Sequence, residues 1–204
     1  MKAIPRCGLS VLLLALTIAQ PAFAYNYPLS PEAIREAYFL GKGDPNKRAA
    51  FISKYTRQLP APKKGADVGA IQFETPFVMI ANQVSRSVPN YFAPDAEQDF
   101  LGKPEICRVR VFIYFTNFNQ GVIYGTGPQI DFAVKLRQGD NEILSQSHAM
   151  VPISWDGPGS NAPGMELDLD YDADKVDSSA PADVEVLTPD GQEIHATFDL
   201  GSLR

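Results

Sequence analysis

Glu166, Asp168, Asp170 and Asp172 recur at every second residue, and Asp174 and Asp177 follow them. A period of two lines up side chains on one face of a β-strand. Four carboxylates in such a ladder could serve calcium, which takes about six to eight oxygen ligands. The EF-hand pattern does not match. Counted from Asp168, the sixth position is Ala173 rather than Gly, and the twelfth is Ser179 rather than Glu. The same ladder also fits a polar strand face set against Arg108 and Arg110. Calcium is thus the one cofactor the residues bring into view, with Glu166, Asp168, Asp170 and Asp172 as its candidate ligands.

A second candidate lies just upstream. Trp155 is the only tryptophan, and Asp156 to Gly164 (DGPGSNAPG) reads as a loop. Loops at the ends of a sandwich commonly carry recognition. An indole beside Asp156 and Asn161 suits the ring and hydroxyls of a sugar, so Trp155, Asp156 and Asn161 are the candidate ligand-binding residues. The competing use of Trp155 is as a core plug that continues the apolar alternation of Val151 and Ile153.

The remaining reactive types form no catalytic set. His148 and His195 are the only histidines, and both fall on the polar parity of their strands. There is no Gly-x-Ser-x-Gly elbow and no HExxH helix. Cys107 shares the parity of Val109, Val111 and Ile113, which predicts a buried, inert thiol. Gly125-Thr126-Gly127 lacks the lysine and helix of a phosphate loop and reads as a turn. No catalytic residue is assigned. A carboxylate-dependent hydrolase stays open as an alternative, since 24 acids are available and spacing alone selects no pair.

The elements that must position these residues begin with helices. Ser30-Pro31-Glu32 is an N-cap, a proline at the first helical position and an acid in the first turn. Asp44-Pro45 repeats the device. Gly41 to Gly43 should end the first helix and Pro60 the second, giving a helical hairpin over 31–59. From Val68 onward the period is two. Strands are expected at 68–74, 77–86, 106–116, 130–137, 143–149 (its period of two continuing through Val151, Ile153 and Trp155), 167–171, 184–187 and 194–200, with a short helix at 94–101. Pro189-Asp190-Gly191 is a hairpin turn. Residues 172–183 read as a polar, mobile connection. Phe112 and Tyr114 make the second face of the 106–116 strand apolar. The helical hairpin, through Tyr38, Phe39, Phe51 and Tyr55, is the surface expected to cover them.

The first 24 residues supply an address. Lys2 and Arg6 precede the apolar run Val11 to Ile18, and Ala22-Phe23-Ala24 is a small-x-small cleavage site. That order predicts an export signal. The run is shorter than the roughly 20 residues of a membrane span. Cleavage would remove Cys7, Lys2 and Arg6, taking the formal charge from −6 to −8. So acidic a chain, without a basic cluster, offers nothing to nucleic acid.

The segment Leu29 to Gly41 (LSPEAIREAYFLG), followed by Leu59 to Gly65 (LPAPKKG), resembles the opening of a group of uncharacterised exported bacterial proteins. The resemblance implies export and a helix-plus-β arrangement. It implies no activity and carries no functional residue.

The expected architecture is mainly β: an antiparallel, immunoglobulin-like sandwich of seven or eight strands with an N-terminal helical hairpin. Residues 1–24 are the signal, 25–67 the hairpin and 68–204 the sandwich. The expected function is a non-enzymatic binding or structural module in the periplasm or outside the cell, with a protein or glycan of the envelope as partner. A calcium-stabilised structural module is the remaining alternative.

Overall fold

The computed structural model describes residues 27–60, 65–116, 132–157, 160–189 and 191–204, without the side chains of 65–67, 115–116, 154–157 and 160–163. The signal region and Gly125 to Gly127 lie outside these residues.

Among the described residues, three of the four helices start on the same chemistry. Ser30, Asp44 and Thr75 each accept a backbone N–H from the first turn, and each is followed by proline. The helices are α1 (Pro31–Lys42), α2 (Pro45–Ile52), α3 (Pro76–Ser85) and α4 (Ala93–Phe100). The α3 segment corrects the strand expected at 77–86. Its Phe77, Val78, Ile80, Ala81 and Val84 are all buried, so an apolar, β-branched stretch reflects a helix packed on several sides. The second helix also stops early. After Ile52 comes a 3-10 turn and then strand β1 (Thr56–Gln58).

Eight further strands follow: β2 (Gly65–Glu74), β3 (Ile106–Thr116), β4 (Ala133–Gln138), β5 (Asn141–Ile143), β6 (Ser147–Gly157), β7 (Ser160–Asp172), β8 (Pro181–Leu187) and β9 (Glu193–Asp199). They form two antiparallel sheets, ordered β1-β2-β3-β7-β6 and β5-β4-β8-β9. Read in chain order from β2, these strands occupy the places A, B, C, C′, D, E, F and G of an immunoglobulin sandwich, whose sheets are ABED and C′CFG. The fold is therefore an immunoglobulin-like sandwich with one added edge strand, β1. The helices α3 and α4 fill the connection from A to B.

The two sheets share one core. Ile71, Phe73, Val109, Val111 and Ile113 of the first sheet meet Leu136, Val184, Val186 and Phe198 of the second, and the rings of Phe73 and Phe198 lie 5.8 Å apart. Cys107 is buried on strand B, as its parity predicts. Strand F carries no cysteine, so the B–F disulfide of antibody domains has no counterpart. Core packing joins the sheets, helped at one edge by Arg57 of β1, whose Nε donates to the carbonyl of Thr197 on β9 at 3.2 Å. The segment 172–183 is less polar than it reads. Ala173 and Val176 are core residues, and Gln138 bonds to the backbone of Asp177 and Ala180.

A second core lies among α1, α3 and α4, built from Leu29, Ile34, Ala37, Tyr38, Phe77, Ile80, Ala81, Val84 and Ala96. Here Gly41 acts as a packing residue within α1, and the helix runs one residue past it. A Cβ on Gly41 would stand 2.5 Å from the carbonyl oxygen of Ala81. Phe51 packs against both cores, and Tyr55 beside it ties the sandwich core to the C-terminus. Its hydroxyl donates to the carbonyl of Arg204 (3.0 Å) and accepts from the Arg204 N–H (2.8 Å). Burial pushes that hydroxyl up to about 12, and the Arg204 contact offsets part of the rise.

Candidate functional site

The acidic ladder meets its counter-charges inside the sheet. Antiparallel register sets Arg108 between Glu74 and Asp170, and Arg110 between Gln72 and Asp168. Side chains directly opposite on neighbouring strands are close enough to pair. Arg108 grips Asp170 through Nε (2.6 Å) and Nη2 (3.1 Å), and its Nη1 is 3.2 Å from Asp168. Arg110 forks onto Asp168 at 2.8 and 2.9 Å. Its Nε is 2.7 Å from Glu166, and its Nη1 is 3.4 Å from Glu74. Asn82 of α3 reaches across to donate to Glu74 at 2.7 Å. Asp172, the last rung, pairs instead with Lys175.

A polar strand face is normally wet, and this one is largely dry. Glu74 is 2% exposed, Arg110 7% and Asp168 7%. Four carboxylates thus surround two guanidinium groups with little solvent. Burial works against the Arg110 charge, but Asp168, Glu74 and Glu166 outweigh it and hold its proton more tightly than usual. Burial raises Glu74 and Glu166 above the ordinary carboxylate range, and Arg110 opposes both shifts. Beside this network a cleft of about 640 Å³ separates α3 from β3, walled by Asn82, Gln83 and Arg86.

The raised Glu74 and Glu166 have a consequence for stability. A carboxyl whose folded pKa exceeds its unfolded value favours folding fully below the unfolded pKa, near 4.3 for Glu. That contribution is lost as pH rises through the folded pKa. The urea midpoint should therefore carry a component that declines from mildly acid toward neutral pH. Glu74→Gln keeps an acceptor for Asn82 and removes one ionisation. Its midpoint should fall less than that of wild type between pH 5 and pH 7.5, and equal slopes would contradict this origin.

The calcium candidates therefore hold cations the chain itself provides. Among the described residues no cluster of three or more His, Cys, Asp or Glu side chains is arranged to hold a metal ion.

Beyond the ladder the same sheet face turns apolar. Phe112 lies opposite Glu166, and Tyr114 opposite Gly164. Val151 pairs with Glu166 and Ile153 with Gly164 on the far side of β7. Val151 is 47% exposed and belongs to the outer face. The alternation of Val151 and Ile153 is thus that of the outer row. Two glycines make the row flat. Gly69 sits at a bulge in β2, and a Cβ there would overlap the Tyr114 ring at 1.5 Å. A Cβ on Gly164 would stand 3.3 Å from Ile153. The helical hairpin does not cover this row. Tyr38 bonds to the carbonyl of Tyr91, Phe39 is exposed, and Phe51 packs its ring at a tilt against Tyr55 and Phe77.

The expected 156–164 loop is largely strand. Trp155 pairs with Ala162, Asp156 with Asn161 and Gly157 with Ser160, so β6 and β7 run past the end of the β7–β3 pairing as a two-stranded ribbon. The backbone brings Trp155, Asp156 and Asn161 together there, and their side chains lie outside the described residues. His148 and His195 are both exposed, as expected. The sequence pattern does not single out Glu74 or Asn82, since the stretch that carries Asn82 has the apolar, β-branched character of a strand.

These features define an immunoglobulin-like sandwich whose ABED sheet has an outer face divided into a charged half and an apolar half. No protein-family model matches the chain, and no curated protein matches it. Among solved structures, the IgNAR antibody domain C1 aligns with 70% of this chain and 99% of its own length, at 10% identity and a TM-score of 0.33. The fold assignment rests on the strand order. Among the described residues, no helix is long and apolar enough to cross a membrane.

Proposed function

We propose that the protein is exported to the cell envelope and works there as a non-catalytic binding module, taking a glycan strand on the outer face of its five-stranded sheet. One observation carries this reading: the uncharged row of Phe112, Tyr114 and Ile153, half-buried on a strip flattened by Gly69 and Gly164. A sugar presents a C–H face that packs on such rings, and hydroxyls that need polar neighbours. Trp155 takes the next register position on β6, with Asp156 and Asn161 beside it. The ion pairs of Glu166, Asp168 and Asp170 favour this over a carboxylate hydrolase or a calcium module, because those acids are already committed. The positive start, apolar run and Ala-x-Ala site support export.

The test is co-sedimentation with insoluble envelope glycan (peptidoglycan sacculi), joined to Trp155 fluorescence with a panel of soluble polysaccharides. Wild type should be retained and its emission should shift. Tyr114→Ala should weaken retention by at least about tenfold, roughly the loss of one aromatic contact worth 1.4 kcal/mol. No retention and no shift with any glycan would overturn the glycan assignment. Capture of an envelope protein in its place would move the row to a protein partner.

A further inference from the structure

On the helical side of the molecule a separate pocket of about 250 Å³ opens between α3, α4 and the start of β3. Its walls are mostly apolar, with Pro76, Met79, Ile80, Phe100 and Ile106 among them. Glu105 stands in this lining. Its Oε1 accepts the Leu29 N–H at 2.7 Å. Its Oε2 is shielded from water and has no hydrogen-bond partner among the described residues. A buried carboxylate oxygen without a donor is costly, about 1–3 kcal/mol and more when charged, so native proteins rarely leave one. The rim adds Asp99 and Lys103, whose charged ends are 4.0 Å apart and largely cancel. The local surplus is therefore the one negative charge of Glu105.

We propose that this pocket binds a small primary ammonium compound with a compact apolar body, and that Glu105 is its counter-charge. An ammonium supplies both things Oε2 lacks, a donor and a positive charge. A hydroxyl would supply only the donor, and an anion neither. The size follows from the volume. At roughly 30 Å³ per water-sized group, the space holds about eight non-hydrogen atoms. The apolar walls match a phenyl or short alkyl body, which gains by leaving water. Burial also raises Glu105 above the ordinary carboxylate range, with the Leu29 N–H pulling the other way. A bound ammonium would draw it back toward the ionised form, so affinity should fall on acidification as Glu105 takes a proton.

Benzylammonium, with eight non-hydrogen atoms, is the probe, and benzyl alcohol is its neutral isostere. Titration of the full chain, followed by calorimetry and by NMR shifts, should show saturable binding of the amine and at least tenfold weaker binding of the alcohol. Glu105→Gln should reduce amine affinity at least tenfold and bring amine and alcohol level. Because that variant also touches Leu29, Met79→Trp provides an independent test. It fills the pocket, leaves Glu105 in place and should abolish binding. Absence of binding by the wild type at millimolar amine would overturn the proposal. So would equal affinities for amine and alcohol, or undiminished binding by folded Met79→Trp.

Discussion

Arg110→Ala should cost about 3–5 kcal/mol of folding stability, the range for removing one partner from a buried charge group. Arg110 is the central cation of the outer-face network. Asp168 takes two of its donors, and Glu166 and Glu74 lie at 2.7 and 3.4 Å. Without it, Glu74 and Asp168 would remain nearly inaccessible to water, and four carboxylates would be left with Arg108 and, for Glu166, the more distant Arg86. The loss is thus less the worth of one ion pair than the penalty of acids buried without a counter-charge. The triple change Arg110→Met, Glu74→Gln, Asp168→Asn separates the two. It keeps the volume and removes the stranded charges, so it should recover most of the lost stability. Urea unfolding of both variants at pH 7 measures this. A loss below about 1 kcal/mol for Arg110→Ala would mean that the network is effectively solvated.

Gly41→Leu is the second large effect. Even a Cβ at this position would lie 2.5 Å from the Ala81 carbonyl oxygen and 2.9 Å from the Cβ of Val84. The nearest obstacle is α3 backbone, which no rotamer change can clear. The helices must move apart, and α1 then loses its fit through Ile34 and Ala37, both fully buried. Overpacking of this kind costs about 1–3 kcal/mol and sometimes more. A leucine against backbone belongs at the upper end. The damage should concentrate in the second core, so amide exchange should quicken in α1 and α3 before it does in β3 and β7. Phe39→Ala on the same helix, at a side chain 64% exposed, should stay within about 0.5 kcal/mol. Comparable losses for the two would refute the close-approach argument.

Periodicity made most of the sandwich legible, because strands with one wet face declare themselves. The 106–116 strand and the alternation at Leu167 to Tyr171 are where the residues place them. The α3 helix was not legible by that route. A helix buried on several sides loses its amphipathic stripe, and Phe77-Val78 with Ile80 imitates a strand. Its start was legible all the same, since Thr75-Pro76 repeats the device of Ser30-Pro31 and Asp44-Pro45. The ribbon around Trp155 was obscured by its glycines and prolines, which signal a loop even where the backbone pairs. Parity set the ladder opposite Arg108 and Arg110. It could not show that this face is dry, because dryness depends on α3 lying alongside. The Glu105 pocket was out of reach for a similar reason. Its walls come from residues 29, 76–83 and 99–106, and only the assembled helices bring them together.

The pairing of β3 with β7 also bears on how quickly the chain reaches this form. Arg110 and Asp168 are 58 residues apart, Arg108 and Asp170 are 62 apart, and Tyr55 meets Arg204 across 149. Each contact closes a long loop before it returns any stabilisation. Chains dominated by such pairings fold in milliseconds to seconds, on the order of a thousand times more slowly than helical bundles. The two cores should then mature at different times. The α3–α4 part of the helical layer has short-range neighbours to find, whereas strand B must wait for strand E, with C, C′ and D lying between them in sequence. During that wait the apolar face of β3, with Val109, Val111 and Ile113, stands open to solvent.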